Sequence, residues 1–166
     1  MRLWSDRVVE EKNLFNPAFG AMLVAEAVHE FQKKTNKPLP FAVTFLVLPI
    51  VLHEATRDAL PNSTLTALLP WVQDNRERLV GFAGRVQNLR EISREAVLFG
   101  LQNDILSLNE SGELAIGGSR KTATPARTPL FTDEARTCVE RSGFIGRWFA
   151  ATGTTANIFS AWGVTP

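Results

Sequence analysis

The sequence has few of the side chains that most catalytic and metal-binding sites require. It holds one cysteine, Cys138, and two histidines, His29 and His53, among 166 residues. A single cysteine excludes an intramolecular disulfide, and none of the three residues stands at the spacing of a zinc site. A phosphate loop is excluded too, since no Lys-Ser or Lys-Thr pair follows the glycines at the spacing of a Walker loop. We therefore expect no catalytic residue, no metal and no cofactor.

The chain also lacks a strong net charge and a secretory signal. Its 18 Lys and Arg residues nearly balance 17 Asp and Glu residues, so the net charge is +1 and no global field draws the protein to nucleic acid or anionic lipid. The N-terminus has no apolar segment of the secretory type. With 45% hydrophobic and 21% charged residues, the composition is that of an ordinary globular protein. We expect a cytoplasmic protein.

The longest apolar stretch, residues 39–53, is the segment on which the rest of the fold is expected to pack. Its 15 residues are fewer than the ~20 needed to cross a bilayer. Pro40 and Pro49 interrupt it, and its β-branched residues leave strand and helix both open. We prefer a buried helix with Pro40 in its first turn and a bend near Pro49.

Helical periodicity predicts several other elements. Residues 16–34 have apolar side chains at helical spacing behind an Asn-Pro start signal. Residues 133–150 have the same period and form the expected last helix. Between these helices, Ser63 is expected to cap a short helix over residues 65–69 that ends or kinks near Pro70, with Trp71 and Val72 continuing to Gln73.

The middle of the chain has the pattern of a winged helix-turn-helix. Helical spacing, with Ser93 as a capping residue, predicts two helices over residues 76–89 and 93–102. Two apolar runs, residues 105–108 and 114–116, flank a polar turn with glycine and predict a β-hairpin. Two helices followed at once by a hairpin predict a winged helix-turn-helix-like unit in a mostly α (α+β) fold.

The domain organisation follows from composition. Residues 1–153 are expected to form a single helical, winged-helix-like domain, with a Gly-, Ser-, Thr- and Pro-rich loop over residues 117–132. The closing segment, residues 154–166, has too many large apolar side chains for a solvated tail. Either this segment docks on its own domain or it docks on a partner.

Basic side chains of the helices and the loop are candidate nucleic-acid contacts. Glutamates nearly cancel the charge of the helices, and the expected hairpin tip is acidic through Glu110 and Glu113, which suits phosphate poorly. A solvated helix face is therefore the first interpretation, protein contact the second and DNA contact the third. The candidate residues are Arg85, Arg90, Arg94, Arg120 and Lys121.

Three stretches, in the same order and spread over most of the chain, resemble the middle component of three-component ABC systems. These stretches are residues 14–19 (LFNPAF), 46–53 (LVLPIVLH) and 158–166 (IFSAWGVTP). Middle components are small adaptor subunits of bacterial conflict operons related to Lamassu-type antiphage defence. The resemblance implies a bridge between an SMC- or Rad50-like ABC ATPase that senses foreign or aberrant DNA and an effector, often a nuclease.

The resemblance carries over no catalytic residues. Together with the apolar side chains near the chain end, it implies a partner-docking element in the closing segment. The residues of this element are Ile158, Phe159, Trp162 and Val164.

Two functions from different classes remain open. The favoured function is a non-enzymatic adaptor of an antiphage or anti-plasmid complex, which meets DNA only through the complex and has no membrane partner. The alternative is a winged-helix transcriptional regulator, which binds DNA alone with a steep dependence on salt. An enzyme is a distant third, because it needs Cys138 or a histidine in an unrecognised site.

Overall fold

The computed structural model describes residues 15–119 and 132–165, which are mostly α-helical with one small antiparallel sheet. The expected fold class, mostly α with a small β-hairpin, is therefore confirmed. The elements in chain order are α1 (Pro17–Thr35), β1 (Leu39–Pro40), α2 (Phe41–Thr44), α3 (Val47–Val51), α4 (Glu54–Ala59), α5 (Leu68–Asp74), α6 (Phe82–Gln102), β2 (Leu106–Leu108), β3 (Glu113–Ile116), α7 (Asp133–Thr152) and α8 (Thr155–Ala161). A 3-10 helix, Arg76–Leu79, lies between α5 and α6.

Helix α1 lies at the centre of the fold, packed against α7 and α6. The Asn16 side chain accepts a hydrogen bond from the Ala18 amide (2.9 Å), and Pro17 occupies the first helical position. Asn36 ends the helix in the left-handed region, with φ 56°. These local signals are readable from sequence, and the predicted helix over residues 16–34 is confirmed.

Helices α1 and α7 approach each other closely because α7 has glycine at the crossing. A Cβ atom on Gly146 would lie against the Ala27 carbonyl oxygen, well inside van der Waals contact. Beside this contact, Arg147 donates to Glu30 at 2.6 Å. Burial alone would raise the pKa of Glu30, but the hydrogen bond and charge of Arg147 outweigh it and lower the pKa. Close backbone packing and the ion pair between Arg147 and Glu30 thus both join the two helices.

The apolar stretch is buried as predicted, but it is not one helix. It forms strand β1 and the short helices α2 and α3, and Leu46, Val47 and Leu48 are fully buried. Pro40 pairs in the sheet and precedes α2, so its predicted place in a helical first turn is wrong. The helical path is interrupted at residues 45–46, close to the bend predicted near Pro49, and Pro49 is the third residue of α3, where its missing N–H costs no intrahelical bond.

The next helix begins later than the sequence predicts. Helix α5 (Leu68–Asp74) includes the predicted continuation to Gln73, but it begins at Leu68, so the predicted start at Leu65 is wrong. The Ser63 hydroxyl accepts from the Leu65 amide (3.2 Å) in a turn and caps no helix. Pro70 lies in the first turn of α5, where proline is tolerated, and therefore neither ends nor kinks it.

Helix α6 is one continuous helix of 21 residues, so the predicted helix-turn-helix is wrong. Ser93, the expected cap, is buried inside α6 and only 1% exposed. Most of the first predicted helix belongs to α6, which begins at Phe82 after Gly81, a residue with φ 75°. The described residues contain no turn between residues 89 and 93, and a winged helix is not confirmed.

The predicted hairpin is confirmed, and the structure adds a third strand to it. Strands β2 and β3 pair with Leu106 opposite Ile116 and Leu108 opposite Leu114. Strand β1 pairs with the other edge of β3, so the order is β1-β3-β2 and all neighbours are antiparallel. The Phe41 amide donates to the Gly112 carbonyl (3.1 Å), which fixes the start of α2 beside the hairpin turn.

Two helices end the described chain. The Thr132 hydroxyl accepts from the Ala135 amide (3.2 Å) at the start of α7, and the predicted last helix is confirmed. Thr154 caps α8 in the same way, accepting from the Asn157 amide (3.3 Å). No helix in these two described stretches is both long and apolar enough to cross a membrane.

Candidate functional site

Two surface grooves lie on either side of α8. The first, here called the Arg90 groove, has a volume of about 480 Å³ and lies between α2, α6 and the end of the described chain. Helix α6 lines it with Ala83, Val86, Gln87 and Arg90, which are spaced i, i+3, i+4 and i+7 and therefore share one helix face. Among the described residues that line this groove, Arg90 is the one charged side chain.

The opposite wall of the Arg90 groove is aromatic and apolar. Phe41 of α2 and Phe45, which directly follows α2, stack edge to face with ring centroids 5.1 Å apart, and both residues are partly exposed. The chain end adds Phe159 and Val164, and the Val164 amide donates to the Phe159 carbonyl at 3.1 Å. The groove is thus a fixed apolar channel with one guanidinium at its edge.

The second groove, here called the Leu65 groove, has a volume of about 610 Å³ and lies between the segment before α5 and the helices α7 and α8. Leu65 and Leu69 stand at its edge, and they are 94% and 55% exposed. Helix α8 contributes Ser160 and Ala161, and none of the described lining residues is charged. This described lining combines apolar side chains with uncharged polar ones.

Helix α8 separates the two grooves, and its large side chains point into the core of its own chain. Ile158, Phe159 and Trp162 are 2%, 5% and 2% exposed. Of the two alternatives stated for the closing segment, docking on its own domain is the arrangement found. Val164 is partly exposed and lines the Arg90 groove. Partner docking through these four residues stays a prediction, and so does the domain boundary after residue 153.

A cluster of tryptophans fixes α8 in this position. The Trp162 ring stacks on Phe82 with centroids 4.7 Å apart, and it also lies 5.8 Å from Trp71 and 6.4 Å from Trp148. The indole N–H of Trp71 donates to the Ala59 carbonyl at 3.1 Å, and the indole N–H of Trp148 donates to the Thr66 carbonyl at 2.7 Å. The wall between the grooves is therefore anchored by aromatic packing.

The structure describes three of the five candidate nucleic-acid residues. Arg85 is partly buried and donates to the Thr56 hydroxyl (3.2 Å) and the Val80 carbonyl (3.4 Å). Arg90 and Arg94 are exposed on α6, one turn apart. Arg120 and Lys121 lie outside the described residues. Nucleic-acid contact by these five residues remains a prediction.

His53 holds the start of α4. Its Nδ1 atom lies 2.8 Å from the Thr56 hydroxyl and accepts from the Thr56 amide at 3.3 Å. The bond from the Thr56 amide needs a lone pair on Nδ1, so this cap requires the neutral ring with its proton on Nε2. Burial and the nearby charge of Arg85 lower the pKa of His53 and favour this neutral form.

Cys138 lies in the core beside a buried arginine. Arg57 is 4% exposed and donates to the Val51 carbonyl (3.1 Å) and to the Cys138 sulfur (3.3 Å), and its other nitrogens face Asp58 and Glu134 at 3.5 Å. Burial raises the pKa of the Cys138 thiol, against the lowering effect of Arg57. The thiol is therefore protonated at neutral pH, and this buried sulfur is a poor nucleophile.

The remaining histidine lies at the surface of α1. His29 Nε2 is 3.9 Å from a carboxylate oxygen of Glu30. Within residues 15–119 and 132–165, no group of three or more His, Cys, Asp or Glu side chains is placed to hold a metal ion.

The sequence pointed to Arg90 and Val164 but not to the groove that they share. Phe45 lies in the apolar stretch that is predicted to be buried, Val86 lies in a predicted helix, and Gln87 has no predicted role. The i, i+3, i+4, i+7 spacing from Ala83 to Arg90 is the signal that marks this wall, but the sequence alone does not show which helical faces remain uncovered.

These features define a small helical protein with apolar surface grooves of the kind that dock other polypeptides. The chain matches the family model of ABC-three component (ABC-3C) system Middle Component 3 over residues 4–166, and it belongs to this family. The predicted resemblance to middle components is thereby confirmed, whereas the Lamassu-type assignment stays a prediction. No curated protein and no solved structure matches the chain.

Proposed function

We propose that this middle component is a non-enzymatic adaptor that joins an SMC- or Rad50-like ABC ATPase to an effector with nuclease activity, in a Lamassu-type antiphage or anti-plasmid complex. The observation that supports this proposal is the family match, which extends over residues 4–166. A middle component that couples two other components must present two binding surfaces, one for each.

The two grooves supply candidate surfaces for two partners. The Arg90 groove and the Leu65 groove differ in charge, so they suit different partner segments. Helix α8 lines both grooves, through Phe159 on one side and Ser160 with Ala161 on the other. A partner that shifts α8 in one groove would change the shape of the other, and such coupling between two sites is the basis of allosteric communication.

In this proposal, the assembled complex binds DNA, and the adaptor alone does not bind it tightly. Arg85 is occupied by contacts within the chain, and the exposed Arg90 lies beside Glu91 with Nε and Oε1 3.7 Å apart. Tight DNA binding requires several phosphates to be neutralised together. The continuous helix α6 also offers no separate recognition helix, so no structural observation favours the regulator alternative.

Co-expression of the tagged chain with the ATPase and effector components of its own system tests the proposal. We expect both components to co-purify with the chain, and we expect the isolated chain to bind duplex DNA only weakly in a fluorescence anisotropy titration. Recovery of neither component, together with tight DNA binding by the isolated chain and a steep slope in log salt, would support the regulator instead.

A further inference from the structure

The wall that α6 gives to the Arg90 groove is long enough for a short helix to lie along it. The distance along α6 from Ala83 to Arg90 is seven residues, or about 10 Å at 1.5 Å per residue. Val86 of α6 lines one side of the groove, and the partly exposed Phe45, which directly follows α2, lines the other. An apolar channel of about two helical turns fits the apolar face of an amphipathic helix, whose anchors recur at i, i+3 or i+4, and i+7.

The positive charge of Arg90 favours a negatively charged occupant of the groove. The Arg90 side chain is 72% exposed, and its contact with Glu91 is a long, exposed ion pair that contributes little. Arg94 follows one turn further along α6 and is also exposed. A carboxylate brought to this end of the groove could form a bidentate pair with the guanidinium of Arg90.

We propose that the Arg90 groove binds an amphipathic helix of another subunit of the system, with apolar side chains against Phe45 and Val86 and a carboxylate against Arg90. This inference rests on the proposed adaptor function, which it extends by naming the surface and the chemistry of the partner segment. A nucleic-acid strand fits this groove less well, because one lining cation faces walls of phenylalanine, valine and alanine.

Site-directed photo-crosslinking on the full-length chain identifies the occupant. The variant Gln87→Cys is labelled with a maleimide photo-crosslinker and mixed with the purified ATPase and effector components. The native Cys138 is 3% exposed and does not compete for the label. The matched control is Gln73→Cys, which places the same label on the exposed face of α5 outside both grooves.

We expect the label at position 87 to attach to one peptide of the ATPase or the effector. That peptide should have apolar residues three or four positions apart and at least one Asp or Glu. Adducts no stronger than those of the Gln73→Cys control would overturn the proposal. Attachment to DNA or to a second copy of this chain would overturn it as well.

Matched substitutions measure the contribution of the groove to affinity. Arg90→Glu is expected to weaken binding of the cross-linked component about tenfold or more, because the new carboxylate would face the carboxylate of the partner. The affinity of Arg76→Glu, on the exposed 3-10 helix, should stay within about twofold of the wild-type value. Val86→Ser should also weaken binding, and Val80→Ser, at an exposed valine outside the groove, should not. A carboxylate-to-arginine change in the cross-linked peptide should restore binding to Arg90→Glu.

The pattern of failures separates this inference from the proposed function. If the wild-type chain retains neither component, the adaptor function and the groove proposal are both wrong. If the wild-type chain retains a component and Arg90→Glu and Val86→Ser retain it with unchanged affinity, only the groove proposal is wrong. The exposed position of Arg90 means that its substitution should leave the fold intact, which the thermal unfolding midpoint of Arg90→Glu verifies.

Discussion

His53 is the residue whose protonation should change the stability of the fold. Its Nδ1 atom accepts from the Thr56 amide, and its pKa is lowered by burial and by Arg85. The unfolded chain, with the ordinary value of 6.5, therefore binds a proton at a pH where the folded chain does not. Stability from this group is complete above pH 6.5 and decreases as the pH falls through and below that value.

The substitution His53→Asn isolates this effect, because asparagine offers a capping oxygen that does not titrate. We expect the unfolding midpoint of the wild-type chain to fall more than that of His53→Asn between about pH 7.5 and pH 5.5, where an ordinary histidine titrates. Carboxylates titrate equally in both proteins and cancel in the comparison. Parallel midpoint curves would show that His53 is not a pH-dependent cap.

Gly146 is the glycine at which an added methyl group should lower the free energy of unfolding most. Its Cβ would meet the Ala27 backbone, which cannot move without shifting α1. We expect Gly146→Ala to lower the free energy of unfolding by about 3 kcal/mol, at the upper end of overpacking costs. Denaturant unfolding followed by the fluorescence of the buried tryptophans measures it.

Gly84→Ala is the control for this change. A Cβ on Gly84 has nothing within 4 Å, and the residue lies in α6. Alanine is a better helix former, so Gly84→Ala should raise the free energy of unfolding by about 0.5–1 kcal/mol. If Gly146→Ala and Gly84→Ala changed the free energy of unfolding by the same amount, the result would contradict the close approach of α1 and α7.

At the scale of elements, the sequence predicted those whose signals are local. Helix α1 has its Asn-Pro start, α7 has Thr132 as a cap, and the hairpin has Gly112 with φ 72° in its turn. The apolar stretch was predicted to be buried, but its division into β1, α2 and α3 was not. That division depends on the pairing of Leu39 with Leu114, which is 75 positions away in the sequence, and no local pattern reports such a contact.

Helix α6 was divided wrongly because serine is a common cap. Ser93 instead lies in the helix interior, close in sequence to Ala96, which packs against Gly20 of α1. Burial of this helix face by α1 favours a continuous helix, and tertiary packing overrides the capping preference of serine.

The substitution Ser93→Ala distinguishes a continuous helix from two helices with a cap. The buried Ser93 hydroxyl has no hydrogen-bond partner among the described residues. Its removal should therefore leave the free energy of unfolding unchanged or raise it by up to about 1 kcal/mol. Loss of about 1 kcal/mol in denaturant unfolding is the result that a capping serine would give.

At the scale of the whole molecule, the sequence indicated the closing segment but not its arrangement. The sequence leaves open whether the large apolar side chains of residues 154–166 dock on their own domain or on a partner, and in the structure Phe159 and Trp162 pack within the chain. Their contacts, such as Trp162 with Phe82 and Trp71, join residues 80 to 91 positions apart. The grooves exist only because these long-range contacts hold α8 between them, so residue spacing alone could not predict them.

The adaptor claim concerns the whole complex, and light scattering coupled to size-exclusion chromatography tests it most directly. Purified ATPase, purified effector and this chain are combined in pairs and then all together. We expect the ATPase and the effector to elute separately when mixed alone, and to elute as one complex, with the summed mass, once the chain is added. A complex of ATPase and effector that forms without the chain, or two components that stay separate in its presence, would contradict the bridging function.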